Sequence, residues 1–261
     1  MVSLMAESRK NAGEALESEW FGYRRVAPAH KAPLVRGVFE TVAGRYDLMN
    51  DLMSGGIHRL WKREMVASLR PRRGSTILDV AGGTGDIALR ILDRMEGDGH
   101  VLVVDATEAM LTVGRDRMID RGLLAGIEWI AGDAERLPIA DASVDAYTIA
   151  FGLRNVTHID RALAEARRVL KIGGRFLCLE FSRVGIPVLS RLYDLYSFSV
   201  LPTLGRLVAG DAEPYRYLAE SIRTFPAQDE LAARIRAAGL EQVKVRNLSG
   251  GVAALHSAWR V

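Results

Sequence analysis

The segment Thr76-Ile77-Leu78-Asp79-Val80 is an apolar run that carries one carboxylate, and Ala81-Gly82-Gly83-Thr84-Gly85-Asp86 follows it directly. A glycine-rich turn between a strand and a helix lets a small nucleotide-like ligand press against bare backbone. Asp79 decides which kind of ligand. A fixed negative charge just before the glycines repels a pyrophosphate and attracts a cation. The expected ligand is therefore the sulfonium of S-adenosylmethionine rather than NAD, although Gly83-Thr84-Gly85-Asp86-Ile87-Ala88 also fits the loose dinucleotide pattern.

A second acid follows at the right place. His100-Val101-Leu102-Val103-Val104-Asp105 is an apolar run ending in a carboxylate, about 20 residues past the glycines, where a ribose-binding acid belongs. Asp105 can accept hydrogen bonds from both ribose hydroxyls, or it can cap the helix that follows. Asp133 follows a third apolar run. In isolation an acid at such a position more often caps a helix.

These residues need a scaffold that gathers them. Strands are expected at Thr76–Val80, Val101–Asp105, Ile127–Ala131, Val144–Ala150 and Arg175–Phe181, with helices near Asp86–Met95, Glu108–Arg121 and Asp160–Leu170. Such alternation implies a parallel sheet with helices on both faces. Right-handed crossovers then bring the loops after the strands to one edge, so that Gly82–Asp86, Asp105, Asp133 and Phe151–Asn155 share a crevice. After a helix at Ala227–Ala238, Gln242–Ser249 and Ala253–Arg260 read as a closing hairpin across Gly250-Gly251.

Two segments stand outside this alternation. Residues 1–33 read as a flexible N-terminal extension broken by Gly22, Pro28 and Pro33. Val35–Leu52 and Arg59–Leu69 read as a pair of helices, separated at Ser54–Gly56, that cap the crevice. Pro187–Phe225 is rich in Leu, Tyr, Phe and Val with interspersed arginines. It reads as an insertion between the fifth and sixth strands, a lid or an apolar groove in which Leu189, Leu192, Tyr193, Leu195, Tyr196 and Phe198 supply the surface.

Composition narrows the function classes. With 49% apolar residues the chain can build a large core without metals or disulfides, and its single cysteine, Cys178, reads as a buried small hydrophobe in a reducing cytosol. No His/Cys cluster has metal-ligand spacing. The formal net charge of +3 is too slight to argue for nucleic acid and suits, at most, weak attraction to an acidic membrane surface. No run approaches the ~18 apolar residues of a membrane span, and the first residues lack the apolar stretch of a secretory signal. A cytoplasmic protein, peripheral on the inner membrane face, is the expected localisation.

Longer motifs carry a resemblance. Tyr46-Asp47-Leu48-Met49-Asn50-Asp51-Leu52-Met53-Ser54 with Gly55-Gly56-Ile57-His58-Arg59-Leu60-Trp61, then Phe151-Gly152-Leu153-Arg154-Asn155-Val156, then Arg168–Phe176 continuing to Leu179-Glu180-Phe181-Ser182, resemble the ubiquinone/menaquinone-biosynthesis C-methyltransferases, within the class I S-adenosylmethionine-dependent methyltransferases. The likeness runs from about Val38 to the C-terminus. Ile172 stands where the family usually has proline, and Ala150 where it often has serine. The resemblance implies an α/β fold: a Rossmann-like seven-stranded sheet, last strand antiparallel, with residues 34–261 forming one domain that includes a helical cap at 34–72 and the helical insertion at 187–225.

The resemblance further implies methylation of a ring carbon of a polyprenylated quinol, either 2-polyprenyl-6-methoxy-1,4-benzoquinol or demethylmenaquinol. Candidate partners are that quinol, a membrane surface or quinone-biosynthesis complex, and a second copy of the chain in a homodimer. Asp79, Gly83, Thr84 and Gly85 are expected at the methionine end, Asp105 at the ribose, and Asp133 and Ala134 at adenine, since Gly132–Pro138 matches the class. Such a reaction needs alignment of carbon, methyl and sulfur, and a base or donors that stabilise a phenolate. Arg154 and Asn155 follow the fourth strand, which ends over the reacting centre in this class. Arg154 can bind a quinol oxygen and lower its pKa, or pair with an acid. Tyr46 can donate to the other oxygen or relay a proton, or be core. Asp47 can orient Arg154. His58, with a reference pKa of ~6.5, is a candidate general base, or a structural hydrogen-bonder.

Four rivals remain in view. A nicotinamide oxidoreductase is opposed by Asp79 and by the absence of Tyr-x-x-x-Lys. A nucleic-acid methylase is opposed by the absence of a Pro-Pro dipeptide and of a basic tract. A methyltransferase for another lipid-like molecule, such as a sterol or phospholipid, and a non-catalytic scaffold in a quinone-synthesis assembly are the alternatives that stay open.

Overall fold

The computed structural model describes residues 18–182 and 213–261. Its frame is a seven-stranded sheet: β3 (Thr76–Val80), β4 (His100–Asp105), β5 (Ile127–Ala131), β6 (Val144–Ala150), β7 (Leu170–Phe181), β8 (Glu241–Leu248) and β9 (Ala253–Trp259), in spatial order β5-β4-β3-β6-β7-β9-β8. β3 pairs in parallel with both β4 and β6, and β9 runs antiparallel to β7 and β8. The order reverses at β3, so a crevice opens beyond the carboxyl ends of β3 and β6, where ligands bind in open α/β sheets.

Strands buried on both faces are largely apolar, and the central ones are, with Asp79, Thr148 and Glu180 as buried exceptions. Ile77, Val101, Val103, Leu177 and Leu179 pack to one side with Trp61, Met65 and Ile91. Leu78, Val80, Tyr147, Ile149 and Phe176 pack to the other with Leu163 and Ile235. Cys178 is buried in β7. The helices that cover these faces are α4 (Asp86–Arg94), α5 (Glu108–Asp120), α6 (Ile159–Val169) and α8 (Gln228–Ala237). Their first turns are acidic and their last turns basic, the arrangement a helix dipole favours.

The N-terminal part differs from the sequence expectation. Residues read as a flexible extension contain a hairpin, β1 (Glu19–Phe21) with β2 (Arg24–Val26), and the first turns of a helix, α1 (Pro28–Val42). Pro28 fits the first helical turn, where its missing N–H costs nothing. The helix expected to run on to Leu52 stops at Val42. A 3-10 turn at Ala43–Arg45 breaks it, and α2 (Tyr46–Ser54) starts afresh in front of α3 (His58–Leu69). Most of the 187–225 insertion, with all six apolar residues singled out in it, lies outside the described residues. Its last turns form α7 (Glu213–Thr224), whose Tyr215, Tyr217 and Leu218 are buried. Among the described residues no helix is long and apolar enough to cross a membrane, and no His/Cys/Asp/Glu group could hold a metal ion.

Candidate active site

A cavity of about 510 Å³ occupies the crevice, a volume suited to a small ligand or cofactor. Its floor is the sheet edge: Ala81 and Gly83 after β3, Asp105 and Thr107 after β4, Asp133 and Ala134 after β5, Phe151 and Asn155 after β6. Its roof is α1, through Val35, Arg36, Phe39 and Glu40, with Tyr46 beside it. Of the two helices expected to cap the crevice, residues of the first, now in α1 with Tyr46 beyond it, line the cavity, and no residue of the second does. One anchor is a lysine: Lys31 Nζ donates to the Val156 carbonyl at 2.9 Å and is buried, which pushes its pKa down.

The turn after β3 needs its glycines. Gly83 and Gly85 have φ of +56° and +75°, a region L side chains rarely enter. A Cβ on Gly85 would lie 2.5 Å from the Trp129 ring, and one on Gly82 would lie 2.9 Å from Asp79 Oδ2. Ala81 and Phe151, both at strand ends facing the cavity, also have positive φ. Non-glycine residues held there mark a turn fixed by its surroundings.

Asp105 ties this turn to the next strand. Its Oδ2 accepts from the Gly83 N–H at 2.9 Å and its Oδ1 from the Thr107 N–H at 2.8 Å. Burial pushes its pKa up against those two bonds. The Asp133 carboxylate accepts from the Glu135 N–H at 2.9 Å, a local turn bond that leaves further lone pairs for a ligand.

Asp79 lies beneath the turn rather than on the cavity wall. Its Oδ1 accepts from the Thr148 hydroxyl at 2.8 Å, whereas Oδ2 is buried without a hydrogen-bonding partner. Burial drives its pKa up to about 7, with Thr148 and Lys62 opposing. Lys62 itself reaches Asp86 at 2.9 Å. Burial alone would raise the Asp86 pKa, but Lys62 and Arg90 outweigh it and hold it low. An orphaned buried carboxylate oxygen, glycines at the turn and two further acids at the sheet edge fit a cationic nucleoside ligand such as S-adenosylmethionine.

Comparison with known proteins decides the lineage. A family model described as the ubiE/COQ5 methyltransferase family matches residues 27–260. The chain belongs to this family. It is 54% identical over 258 residues to the ubiquinone/menaquinone biosynthesis C-methyltransferase UbiE of Brucella abortus, covering 98% of this chain and 96% of that protein. It is 55% identical over 243 residues to the UbiE of Brucella anthropi, covering 92% of each. Among solved structures, a SAM-dependent methyltransferase from Thermotoga maritima superposes with a TM-score of 0.62 at 22% identity, over 87% of this chain and 100% of that one. The [4+2]-cyclase SpnF superposes with a TM-score of 0.64 at 18% identity, over 88% and 96%. Fold likeness at that distance spans different chemistries, so it carries the architecture alone.

Asn155 stands in the 3-10 turn after β6 and lines the cavity. Tyr46, at the start of α2, also lines it, its ring centroid 6.1 Å from that of Phe39. Thr84 is buried within the glycine turn, and neither it nor Gly85 reaches the cavity wall. Arg154 is turned inward: its Nη1 donates to Glu180 Oε2 at 2.9 Å and to the Phe151 carbonyl at 2.6 Å, and it does not line the cavity. Of the two readings of Arg154, the geometry is that of the ion pair, with Glu180 as the acid.

His58 also sits off the cavity, in contact with Asp51 at 2.9 Å. Burial and then Lys62 lower its pKa, while Arg59 holds Asp51 down at about 2. Its geometry is that of the structural hydrogen-bonder. The side chain of Asp47 lies outside the described residues. Thr148, Lys62, Lys31, Glu180 and Tyr217 were not foreseen. Each acts through a long-range contact that no local spacing announces, although Glu180 belongs to the motif Leu179-Glu180-Phe181-Ser182.

Proposed function

We propose that this chain transfers the methyl group of S-adenosylmethionine to a ring carbon of a polyprenylated quinol. The observation that carries the proposal is the composition of one cavity. Asp105 and Asp133, acceptors suited to ribose and adenine, stand at the ends of β4 and β5 on one side of β3, Asn155 follows β6 on the other side, and Tyr46, a second donor suited to a quinol oxygen, lines the same cavity. The relatives named as ubiquinone/menaquinone biosynthesis C-methyltransferases supply the substrate class.

S-Adenosylmethionine, when bound, supplies an electrophilic methyl. Asp105, braced by the N–H groups of Gly83 and Thr107, would hold the ribose, and buried Asp79 places negative charge beneath the methionine end. Asn155 donates to one quinol oxygen and favours its ionised form, which pushes electron density onto the ring. Tyr46 donates to the other oxygen or relays the proton. The ring carbon gains the methyl and loses its own hydrogen as a proton, so one proton leaves per turnover. Arg154 contributes by holding the turn that presents Asn155, and α1 keeps water from the reacting atoms.

An isoprenoid tail requires approach to a lipid surface, and the β1–β2 hairpin supports that reading. Trp20 and Tyr23 are exposed there beside Arg24 and Arg25, an aromatic and basic combination suited to an anionic bilayer surface. Association with a quinone-biosynthesis complex and pairing into a homodimer are further proposals that rest on the family.

The test is methyl transfer from labelled donor to reduced benzoquinol and naphthoquinol analogues, with sterol and phospholipid acceptors in parallel. Label on the quinol ring carbon is the expected result. Label on the other acceptors alone would replace the substrate class, and silence with all of them, together with no binding heat for the donor, would make the chain a scaffold.

A further inference from the structure

Asn155 is held from two directions. Its backbone belongs to the 3-10 turn Leu153–Asn155, where its N–H donates to the Gly152 carbonyl at 3.0 Å. Glu180 grips the same turn by accepting from the Arg154 N–H at 3.2 Å. The side chain is held from elsewhere: the Tyr217 hydroxyl, on α7, lies 3.0 Å from Asn155 Oδ1. Tyr217 does not line the cofactor cavity. It is buried behind that wall, its ring stacked on Phe21 of the N-terminal hairpin with centroids 4.4 Å apart.

A carboxamide has one acceptor end and one donor end. Whichever end Tyr217 takes, the other is presented elsewhere. Burial pushes the Tyr217 pKa up, so the phenol keeps its proton throughout the working pH range. A neutral phenol donating to Oδ1 leaves both Nδ2 hydrogens for the cavity. Without that bond, the amide can turn over and offer its oxygen, which would repel a phenolate.

We propose that Tyr217 is a positioning residue: by donating to Asn155 Oδ1 it fixes the carboxamide with its N–H groups toward the reacting oxygen of the acceptor. This rests on the role proposed above for Asn155. It also gives the N-terminal hairpin a part in the reaction, since Phe21 backs the Tyr217 ring.

The test is a double-mutant cycle on the full chain. Tyr217→Phe keeps the ring and its stacking and removes only the hydroxyl. Its kcat should fall roughly tenfold, the scale of one lost oriented hydrogen bond, while S-adenosylmethionine affinity stays within twofold. In an Asn155→Ala background the same change should cost nothing more, because its effect passes through Asn155. An equal loss in both backgrounds, or no loss in either, would overturn the proposal. A second readout needs no acceptor and so separates this idea from the quinol reading. The Asn155 side-chain amide signals in a proton–nitrogen correlation spectrum, identified by their loss in Asn155→Ala, should shift and broaden in Tyr217→Phe. Unchanged signals would overturn the proposal even if quinols are methylated. Displaced signals would support it even if they are not.

Discussion

Arg154 Nη1 lies 2.9 Å from Glu180 Oε2, and both side chains are sealed from solvent. The pair does more than cancel two buried charges. Glu180 also accepts from the N–H groups of Arg154 and Phe181, and the guanidinium donates to the Phe151 carbonyl while lying over the Phe181 ring at 5.4 Å. Phe151, at the start of this turn, sits at φ +57°, a conformation that costs about 1–3 kcal/mol and persists only where neighbours over-determine it. The ion pair and its backbone bonds are those neighbours, and the turn they fix is the one that carries Asn155.

Breaking the pair from one side should therefore be severe. Glu180→Gln leaves a buried guanidinium without its counter-charge, and Arg154→Ala leaves a buried carboxylate. Each should lower unfolding free energy by about 3–5 kcal/mol, read by urea titration. Turnover should fall in both, while S-adenosylmethionine affinity, measured where the variant is still folded, should stay near wild type. A stable Arg154→Ala that loses only cofactor affinity would assign Arg154 to the cofactor instead.

The sheet was legible from the chain because its signals are local. Apolar runs of strand length at Thr76–Val80 and Ile127–Ala131, glycine at the turn and helical periodicity between them need no knowledge of the rest of the fold. The same holds for Asp105, Asp133 and Asn155, which the parallel order forces to one edge. Pro28 and Pro33 misled in the other direction. Read as breakers, they stand in the first turns of α1, with Pro33 tolerated inside the helix. Arg154 shows the limit most clearly. Its position was legible but its direction was not, because direction depends on Glu180, 26 residues away on β7. Tyr217 is further still from Asn155 along the chain, and nothing near it marks it as part of a site.

Asp105 joins ligand binding to loop geometry. Asp105→Ala should remove the ribose acceptor and weaken S-adenosylmethionine binding beyond detection, at least ~100-fold. It should also free the N–H groups of Gly83 and Thr107, costing about 1–3 kcal/mol of stability without unfolding the chain. Calorimetric titration beside a thermal melt checks both. Wild-type affinity in this variant would remove the ribose role.

Gly85 offers a purely steric test. Alanine there must adopt φ near +75° and place Cβ 2.5 Å from the Trp129 ring. The left-handed conformation and the clash together should cost about 2–4 kcal/mol. Gly97, also at positive φ but with nothing near its Cβ, should pay only the conformational part, about 1–2 kcal/mol. Denaturant melts of the two alanine variants separate the terms; equal losses would mean that Trp129 yields freely.

Asp79 links the buried charge to pH. Its carboxyl titrates near 7 in the folded chain against 3.8 ordinarily, chiefly because burial opposes ionisation. Between those values the unfolded chain binds fewer protons than the folded one, so this residue's contribution to stability is full below about pH 4 and is lost as pH rises through 7. Asp79→Asn keeps an acceptor for Thr148 and cannot ionise. Its stability should match wild type near pH 4 and exceed it at pH 8, by up to about 4 kcal/mol at 1.36 kcal/mol per pKa unit. A cationic ligand reverses the penalty, because positive charge near Oδ2 favours the carboxylate. S-Adenosylmethionine binding near pH 6 should then release up to about one proton from wild type and none from Asp79→Asn, read as heats that vary with the ionisation enthalpy of the buffer. A stability difference that is flat with pH, or proton release that survives the substitution, would detach Asp79 from both the turn and the ligand's charge.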